Sequence, residues 1–291
     1  LATSAILTYT LDSTCYSVIG KQTEAINELD KNDPEYYVKQ GNTTEQYIAE
    51  NSIVKVYGSE AAEELIDHCF QIYGGYGFIE EYPMAQAYRD NRINKIWEGT
   101  NEINRMLCGR AMITKALSGE IGFKEYLEKV DVYCNNGLDS GYEGDLKTEV
   151  ECVEAAKAVY AICLNESLSK HGQDIGTEQV IIENLANILI YAYVGDSTLS
   201  RVIQNKDLYV QKNQVVPELC AKVYTAEQGI RVMEYANKIL NSIYDGEIPK
   251  ELESKFAKLS RRLSLSTDTI GLKKIIGEKV VEAGGYPVQS F

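Results

Sequence analysis

Apolar residues recur every three to four positions along most of this chain, and no stretch alternates apolar and polar residues as a half-buried strand does. The clearest example runs from Thr44 to Tyr73, where the apolar positions would form one face of a long amphipathic helix. Gly74, Gly75 and Gly77 follow, and glycines commonly end helices because they adopt backbone angles that other residues avoid. The pattern predicts an all-α protein.

Turn-forming residues divide the rest of the chain into further helices. Asp30 and Pro34 lie in a polar stretch that should end a first helix, because proline and turn-forming side chains disfavour its continuation. An acidic, glycine-rich linker from Gly137 to Gly144 forms a later break. Together with the helix already described, the pattern predicts helices at residues 2–28, 101–117, 148–170, 178–205, 219–244, 250–263 and 269–283.

The length of the chain fits two domains of moderate size. It has 291 residues, of which 44% are hydrophobic and 25% charged, a composition typical of globular proteins. We expect one helical domain at residues 1–120 and a second at residues 121–291. The chain begins at Leu1 rather than at methionine, inside an apolar stretch, and we expect it to be part of a longer protein.

Charge and hydropathy argue against several classes of partner. The formal net charge of −14 would repel nucleic acid and anionic membrane surfaces. No apolar run approaches the roughly 20 residues that span a bilayer, and no signal peptide is recognisable at the N-terminus. We therefore expect a soluble, non-exported protein that binds neither nucleic acid nor membranes. Its compartment would be the cytoplasm in a bacterium or the mitochondrial matrix in a eukaryote.

Cysteines and histidines indicate neither a disulfide framework nor a metal site. The seven cysteines are scattered without the short spacing of zinc ligands, and an odd number does not suit a set of disulfides. His68 and His171 lie far apart in the sequence and have no second ligand at metal spacing. Catalysis by this chain would have to use carboxylates.

One stretch, from Gln71 to Arg105, resembles the acyl-CoA dehydrogenase family. Several elements of the family pattern occur here in order and at the family's spacing, which makes a chance match improbable. The resemblance implies a C-terminal domain like a four-helix bundle, followed by an additional helical domain such as the very-long-chain branch carries. The matching elements are Gln71-x-x-Gly74-Gly75-x-Gly77-Phe78, Glu81-Tyr82-Pro83, Arg89-Asp90 and Trp97-Glu98-Gly99-Thr100-x-Glu102-Ile103-x-Arg105.

The resemblance implies a binding site for FAD. Gln71, Gly74 and Gly75 would contact the pyrophosphate of an FAD that is bound mainly by a neighbouring subunit, so that a homo-oligomer completes the site. Backbone N–H groups near glycines suit phosphate oxygens, although a plain helix stop would give the same glycines. Thr100 and Glu102 match further FAD contacts, and Thr100 could equally be the N-cap of the next helix.

The resemblance also implies a catalytic base. Glu98 matches the family's glutamate, which takes the α-proton of an acyl-CoA while the β-hydride passes to FAD, giving a trans-2-enoyl-CoA. Its apolar neighbours would desolvate the carboxylate and keep it basic enough to accept a proton near neutral pH. Gly99 would lie beside the substrate, and the Glu98 N–H would stabilise the enolate oxygen. Arg89 and Asp90 are interpreted as structural.

Two other functions remain open at this point. An acyl-CoA oxidase shares the fold but passes its electrons to oxygen, whereas the dehydrogenases pass theirs to an electron-transfer flavoprotein. The other alternative is a helical interaction module without catalytic activity. Because the family's N-terminal and middle domains are not part of this sequence, we expect the chain by itself to be inactive and to bind FAD weakly.

Overall fold

The computed structural model describes residues 1–288, and within them the chain forms thirteen α-helices, two short 3₁₀ turns and no strand. The prediction of an all-α protein is confirmed. The helices are α1 (Ala2–Asn27), α2 (Tyr36–Gln46), α3 (Ile48–Tyr73), α4 (Gly75–Phe78), α5 (Pro83–Arg92), α6 (Asn101–Ser118), α7 (Phe123–Asn136), α8 (Lys147–His171), α9 (Gln179–Gln204), α10 (Lys206–Gln211), α11 (Val216–Ile243), α12 (Lys250–Leu263) and α13 (Thr269–Ala283).

Most predicted helix boundaries agree with the structure to within three residues, and those of α12 and α13 agree at both ends. The single helix predicted from Thr44 to Tyr73 was wrong at its start. The chain leaves helical geometry at Tyr47, whose N–H donates to the Thr44 carbonyl in a tighter turn, so that α2 and α3 are separate helices. The sequence interpretation also missed the short helices α4, α5 and α10, and it missed α7, whose Val130 and Cys134 are buried.

The core is built on α8, α9 and α11, which pack along one another through small and branched apolar residues. Ala155, Ala158 and Val159 of α8 have no exposed surface. At two positions the helices pack so closely that a side chain larger than that of glycine would clash. A Cβ at Gly195 of α9 would lie 2.9 Å from Val153 Cγ2, and one at Gly109 of α6 would lie 2.5 Å from a methyl group of Ile182.

Of the helices before residue 120, α1, α3 and α6 pack against this same centre. A second group of buried residues takes Ile6 and Tyr9 from α1, Ile53 and Val56 from α3, and Val194 from α9. Helices on both sides of residue 120 therefore share core contacts. The division into domains at residues 1–120 and 121–291 stays a prediction.

None of the helices within residues 1–288 is both long enough and apolar enough to cross a membrane. In the same part of the chain, no three His, Cys, Asp or Glu side chains converge on a point that could hold a metal ion. All seven cysteines are free thiols, and five of them are buried.

Candidate active site

A polar network joins α3 to α6 where the predicted site begins. Asn101, the first residue of α6, is buried and accepts hydrogen bonds from Lys55 Nζ at 2.7 Å and from Ser59 Oγ at 3.1 Å. One turn further along, both terminal nitrogens of Arg105 donate to the two carboxylate oxygens of Glu60, at 2.8 and 2.9 Å. Arg105 Nε donates to Asn187 of α9 at 2.7 Å. The start of α6 is thus fixed against two long helices.

A sharp turn immediately before α6 carries the predicted base. Glu98 has φ 54° and Gly99 has φ 80°, so two consecutive residues adopt left-handed backbone angles. Glycine adopts such angles freely, whereas a residue with a side chain is strained there by about 1–3 kcal/mol. Glu98 is one of three non-glycine residues with positive φ within residues 1–288. Such strain is often found at functional sites.

The segment before the turn is anchored from two sides. The Ile93 carbonyl accepts hydrogen bonds from the N–H groups of Ile96 and Trp97, at 2.9 and 3.0 Å. Lys95 forms an ion pair of 2.5 Å with Glu63 of α3, and both side chains are about one third exposed or less. These contacts hold the chain up to Trp97. The conformation of Glu98 and Gly99 then depends on contacts made by the start of α6.

Asn104 holds the segment after the turn, and the sequence interpretation missed it. Its side-chain Nδ2 donates to the Gly99 carbonyl at 2.8 Å and to the Thr100 carbonyl at 3.1 Å. The residue is 8% exposed. An amide in the first turn of a helix is common on solvated surfaces, so the sequence carried no signal that this one turns inward.

The Glu98 backbone N–H has no acceptor among residues 1–288. It is therefore available to a ligand. The side chain of Glu98 is exposed, as are Ile96 and Trp97, the latter at 56%. The expectation that these apolar neighbours desolvate the carboxylate is not met in this chain taken alone, where Glu98 is itself exposed.

Thr100 caps α6, as the alternative interpretation of this residue predicted. Its Oγ1 accepts a hydrogen bond from the Ile103 N–H at 3.3 Å. Glu102 lies in the first turn of the same helix, where its own backbone N–H and the Thr100 hydroxyl bind its carboxylate and hold its pKa below the usual range. An anionic side chain is also favoured at a helix N-terminus.

The end of α3 presents the other predicted site residues. Gly74 ends the helix with φ 57° and ψ −138°, a conformation open to glycine alone. Gln71, Gly74 and Gly75 are exposed, and a Cβ added at either glycine would meet nothing within 4 Å. Gly77 differs, because it is buried and a Cβ there would lie 2.7 Å from the Phe70 carbonyl oxygen. Gly77 is thus required by packing, whereas Gly74 and Gly75 leave an open backbone surface.

The structure does not bring all predicted site residues to one place. Glu98, Gly99, Thr100 and Glu102 lie together at the start of α6, beside Ser59 and Glu60 in the middle of α3. Gly74 follows Glu60 by fourteen residues along α3, which at 1.5 Å per residue corresponds to roughly 20 Å. The glycine end and the Glu98 turn are two separate parts of the surface.

Apolar side chains are exposed around both parts. Ile72, Tyr76 and Phe78 surround the glycine end, and Phe78 is 77% exposed. Trp97 and Ile103 lie beside the Glu98 turn and are also more than half exposed. Exposed apolar groups in this number indicate a surface that another protein segment or a ligand covers.

Arg89 pairs with Glu80 at 2.9 Å rather than with Asp90, and this exposed pair ties α5 to the preceding turn.

Two family models match the chain. A model described as the C-terminal domain of acyl-CoA dehydrogenase matches residues 24–113, and a second model of the same description matches residues 155–255. The first match includes the glycine end, the Glu98 turn and Asn104. The second lies within the helices that come after the glycine-rich linker.

Several similar proteins are acyl-CoA dehydrogenases by name. The probable acyl-CoA dehydrogenase of Bacillus subtilis (strain 168) is 28% identical over 99% of this chain and 48% of its own length. The mitochondrial very long-chain specific acyl-CoA dehydrogenase of Bos taurus is 30% identical over 69% of this chain and 31% of its own length. The crystal structure of an acyl-CoA dehydrogenase complexed with FAD from Bacillus anthracis is 28% identical, with a TM-score of 0.89 over 99% of this chain and 49% of that one.

The chain spans about half the length of the two bacterial relatives. The similarity extends over almost the whole of this chain, in sequence as well as in fold. The chain belongs to the acyl-CoA dehydrogenase family, and its helices correspond to that family's C-terminal domains.

Proposed function

We propose that this chain is the C-terminal part of the catalytic machinery of an FAD-dependent acyl-CoA dehydrogenase, with Glu98 as the general base. By the complete enzyme we mean this chain together with the segments that its relatives carry beyond it. The observation that supports the proposal most directly is the turn itself. Glu98 is held in a strained backbone conformation with its N–H free, beside a glycine, at the edge of an exposed apolar surface.

The chemistry assigns a role to each part of the turn. The Glu98 carboxylate accepts the α-proton of a fatty acyl-CoA, and the pair of electrons from that C–H bond forms the new α,β double bond. FAD, when bound, supplies the acceptor for the β-hydride. The Glu98 N–H donates to the thioester oxygen, where negative charge develops as the α-proton leaves. Gly99, without a side chain, leaves room for the thioester beside this N–H.

The residues at the two parts of the surface fit a bound FAD. Gly74 and Gly75 offer an exposed backbone that no side chain covers, so that phosphate oxygens can approach the Gly75 N–H, and Gln71 adds an exposed amide; the Gly74 N–H itself donates to the Gln71 carbonyl at 3.1 Å. Thr100 and Glu102 would contact an FAD molecule bound beside the Glu98 turn. Both bond to the start of α6 and are ordered before any ligand binds.

We propose that the glycine end and the Glu98 turn of one chain serve different active sites. The separation of roughly 20 Å along α3 supports this, as does the exposed apolar surface around Phe78. In a two-fold symmetric dimer each glycine end would reach the FAD of the partner subunit. The chain by itself would then bind FAD weakly, because it holds only part of each site. It would not turn over acyl-CoA, because its Glu98 is open to water.

The experiment is anaerobic titration of the complete enzyme with acyl-CoAs of graded chain length, followed by flavin absorbance and by identification of the product. The proposal predicts bleaching of the flavin and formation of the trans-2-enoyl-CoA. Absence of bound flavin, or of bleaching at every chain length, would favour a helical module without catalytic activity. Addition of oxygen or of an electron-transfer flavoprotein distinguishes an oxidase from the dehydrogenase that we propose.

The proposed setting is that of the relatives, which come from bacteria and mitochondria. We propose the bacterial cytoplasm or the mitochondrial matrix as the compartment, and an electron-transfer flavoprotein as the electron acceptor.

A further inference from the structure

We infer that Asn104 is a positioning residue for Glu98, acting through the two carbonyl groups that come after the turn. The inference rests on the proposed role of Glu98 as the base. It concerns how a carboxylate on a strained, exposed turn is held in one orientation.

The contacts of Asn104 are suited to this role. One side-chain amide donates to two successive carbonyls, those of Gly99 and Thr100, at 2.8 and 3.1 Å. A left-handed conformation at Glu98 persists only when the surrounding structure enforces it. The contacts of Ile93 and Lys95 hold the chain before the turn, and the Asn104 side chain binds the Gly99 and Thr100 carbonyls that follow Glu98.

Gly99 and Asn104 fit each other. A Cβ at Gly99 would lie 3.0 Å from Asn104 Nδ2, so the amide packs directly against the bare face of the glycine. Asn104 is also 8% exposed, so water cannot readily replace its hydrogen bonds. Gly99 therefore serves the turn in two ways, through its φ of 80° and through the space that it leaves for this amide.

A small displacement of the turn would matter for the proposed reaction. Proton abstraction requires the carboxylate oxygen and the α-carbon to meet in a narrow range of distance and angle, and a misplacement of about 1 Å can cost a hundredfold in rate. Relaxing Glu98 to an ordinary backbone angle would redirect its Cα–Cβ bond. In the proposed site the substrate and FAD also contact groups outside the turn, so their binding should change far less than the rate.

Asn184 provides a matched control. It is 9% exposed, and its Nδ2 donates to the Val180 carbonyl four residues earlier in α9, at 2.7 Å. Asn104 makes the equivalent bond to Thr100 in α6. The two residues differ in the additional bond that Asn104 makes to Gly99.

The experiment uses the complete enzyme and an acyl-CoA whose β-methylene is replaced by sulfur, which can lose its α-proton but cannot transfer a hydride. Exchange of that proton with deuterated solvent is followed by NMR. Bound FAD, the Kd of the analogue and the melting temperature are measured on each variant. Asn104→Leu should slow the exchange by about a hundredfold while FAD content and the Kd stay unchanged. Asn104→Gln, which keeps the amide donors, should recover most of the rate, and Asn184→Leu should exchange like the wild type.

Each other outcome has a defined meaning. If Glu98→Gln leaves the exchange unchanged, the proposed function itself fails. If Glu98→Gln abolishes the exchange but Asn104→Leu does not slow it, the positioning role is overturned and the base assignment stands. Equal losses in Asn104→Leu and Asn184→Leu, or no recovery in Asn104→Gln, would also overturn the inference. Should Asn104→Leu fail to fold, Asn104→Asp removes the N–H donors at the same size.

Discussion

Glu60 and Arg105 face each other across α3 and α6, with both carboxylate oxygens bonded to both terminal nitrogens of the guanidinium group, at 2.8 and 2.9 Å. Two parallel hydrogen bonds of this kind fix orientation as well as distance. Burial lowers the pKa of Arg105, but its bonds and charge interaction with Glu60 outweigh this, and the net shift is upward. The pair joins the helix that ends at the glycines to the helix that begins after the Glu98 turn.

Glu60→Gln should destabilise the chain by about 2 kcal/mol in free energy of unfolding. The substitution leaves Arg105, which is 14% exposed, with a neutral partner that can accept only one of its two bonds. The loss stays below that of a fully buried pair because Glu60 is 37% exposed. Urea denaturation measures it.

Glu64→Gln is the control for this prediction. Glu64 lies on the same helix, and its one ion pair among residues 1–288 is with the exposed His68, at 3.6 Å. Its replacement should change the free energy of unfolding by less than about 0.5 kcal/mol. Equal changes in the free energy of unfolding at Glu60 and Glu64 would mean that the two parallel bonds between Glu60 and Arg105 contribute nothing to stability.

The glycines after α3 should separate into a packing residue and a binding residue. Gly77→Ala should cost about 1–3 kcal/mol, because the new methyl group would lie 2.7 Å from the Phe70 carbonyl oxygen. Gly75→Ala meets open space and has no positive φ, so its free energy of unfolding should stay within about 0.5 kcal/mol of the wild type. In the complete enzyme, Gly75→Ala should nevertheless weaken FAD binding.

Thermal denaturation and equilibrium dialysis of FAD check the two halves of this prediction. An unchanged affinity for FAD in Gly75→Ala would contradict the assignment of Gly75 to the cofactor. An unchanged melting temperature in Gly77→Ala would contradict the packing argument.

Periodicity predicted the helices well where one face is continuously apolar, as in α9 and α12. It failed at Tyr47, because α2 and α3 are consecutive in sequence and their apolar positions run on across the break. It missed α7, a short segment in which the buried residues are Val130, Tyr133 and Cys134. These failures concern chain geometry that residue spacing does not encode.

The candidate site was predicted through the family pattern, and the pattern named the residues that we propose face a ligand. The family pattern did not identify the residues that hold the backbone of the site in place. Asn104 of α6 contacts the turn and Glu63 of α3 contacts Lys95 just before it, and such long-range or inward-facing bonds depend on how the helices pack. The exposure of Glu98 in the chain taken alone was not foreseen for a related reason, since apolar neighbours in the sequence do not show what covers a side chain.

Stability should fall in alkaline solution because buried thiols resist ionisation. Burial raises the pKa of Cys108 from 9.0 to about 12. A raised pKa gives stability that is fully present below 9 and is lost as the pH rises from 9 towards 12, because the unfolded chain releases its proton first. Each pH unit in that window costs up to about 1.4 kcal/mol for this thiol.

Urea midpoints under reducing conditions at pH 8 and pH 10.5 measure the alkaline loss. Cys108→Ala removes the thiol and should show a smaller difference between the two pH values, whatever its own stability. The same difference in the variant as in the wild type would contradict the assignment to Cys108.

Two inactive variants of the complete enzyme should restore activity when their subunits are mixed. A dimer of one Glu98→Gln subunit and one Gly74→Val subunit has one site with both residues intact, provided that each site takes Glu98 and Gly74 from different chains. Random reassociation should then recover about a quarter of the wild-type activity. If both residues came from one chain, every site in the mixture would be defective and no activity would return.

The most direct measurement is the rate of flavin reduction by saturating acyl-CoA in the complete enzyme, followed by anaerobic stopped flow, for the wild type, Glu98→Gln and Glu120→Gln. Glu120 lies exposed beyond the end of α6 and serves as the control. The account predicts that Glu98→Gln binds FAD and acyl-CoA but reduces the flavin at least about a thousandfold more slowly, while Glu120→Gln behaves like the wild type. Flavin reduction at the wild-type rate in Glu98→Gln would contradict the assignment of Glu98 as the base.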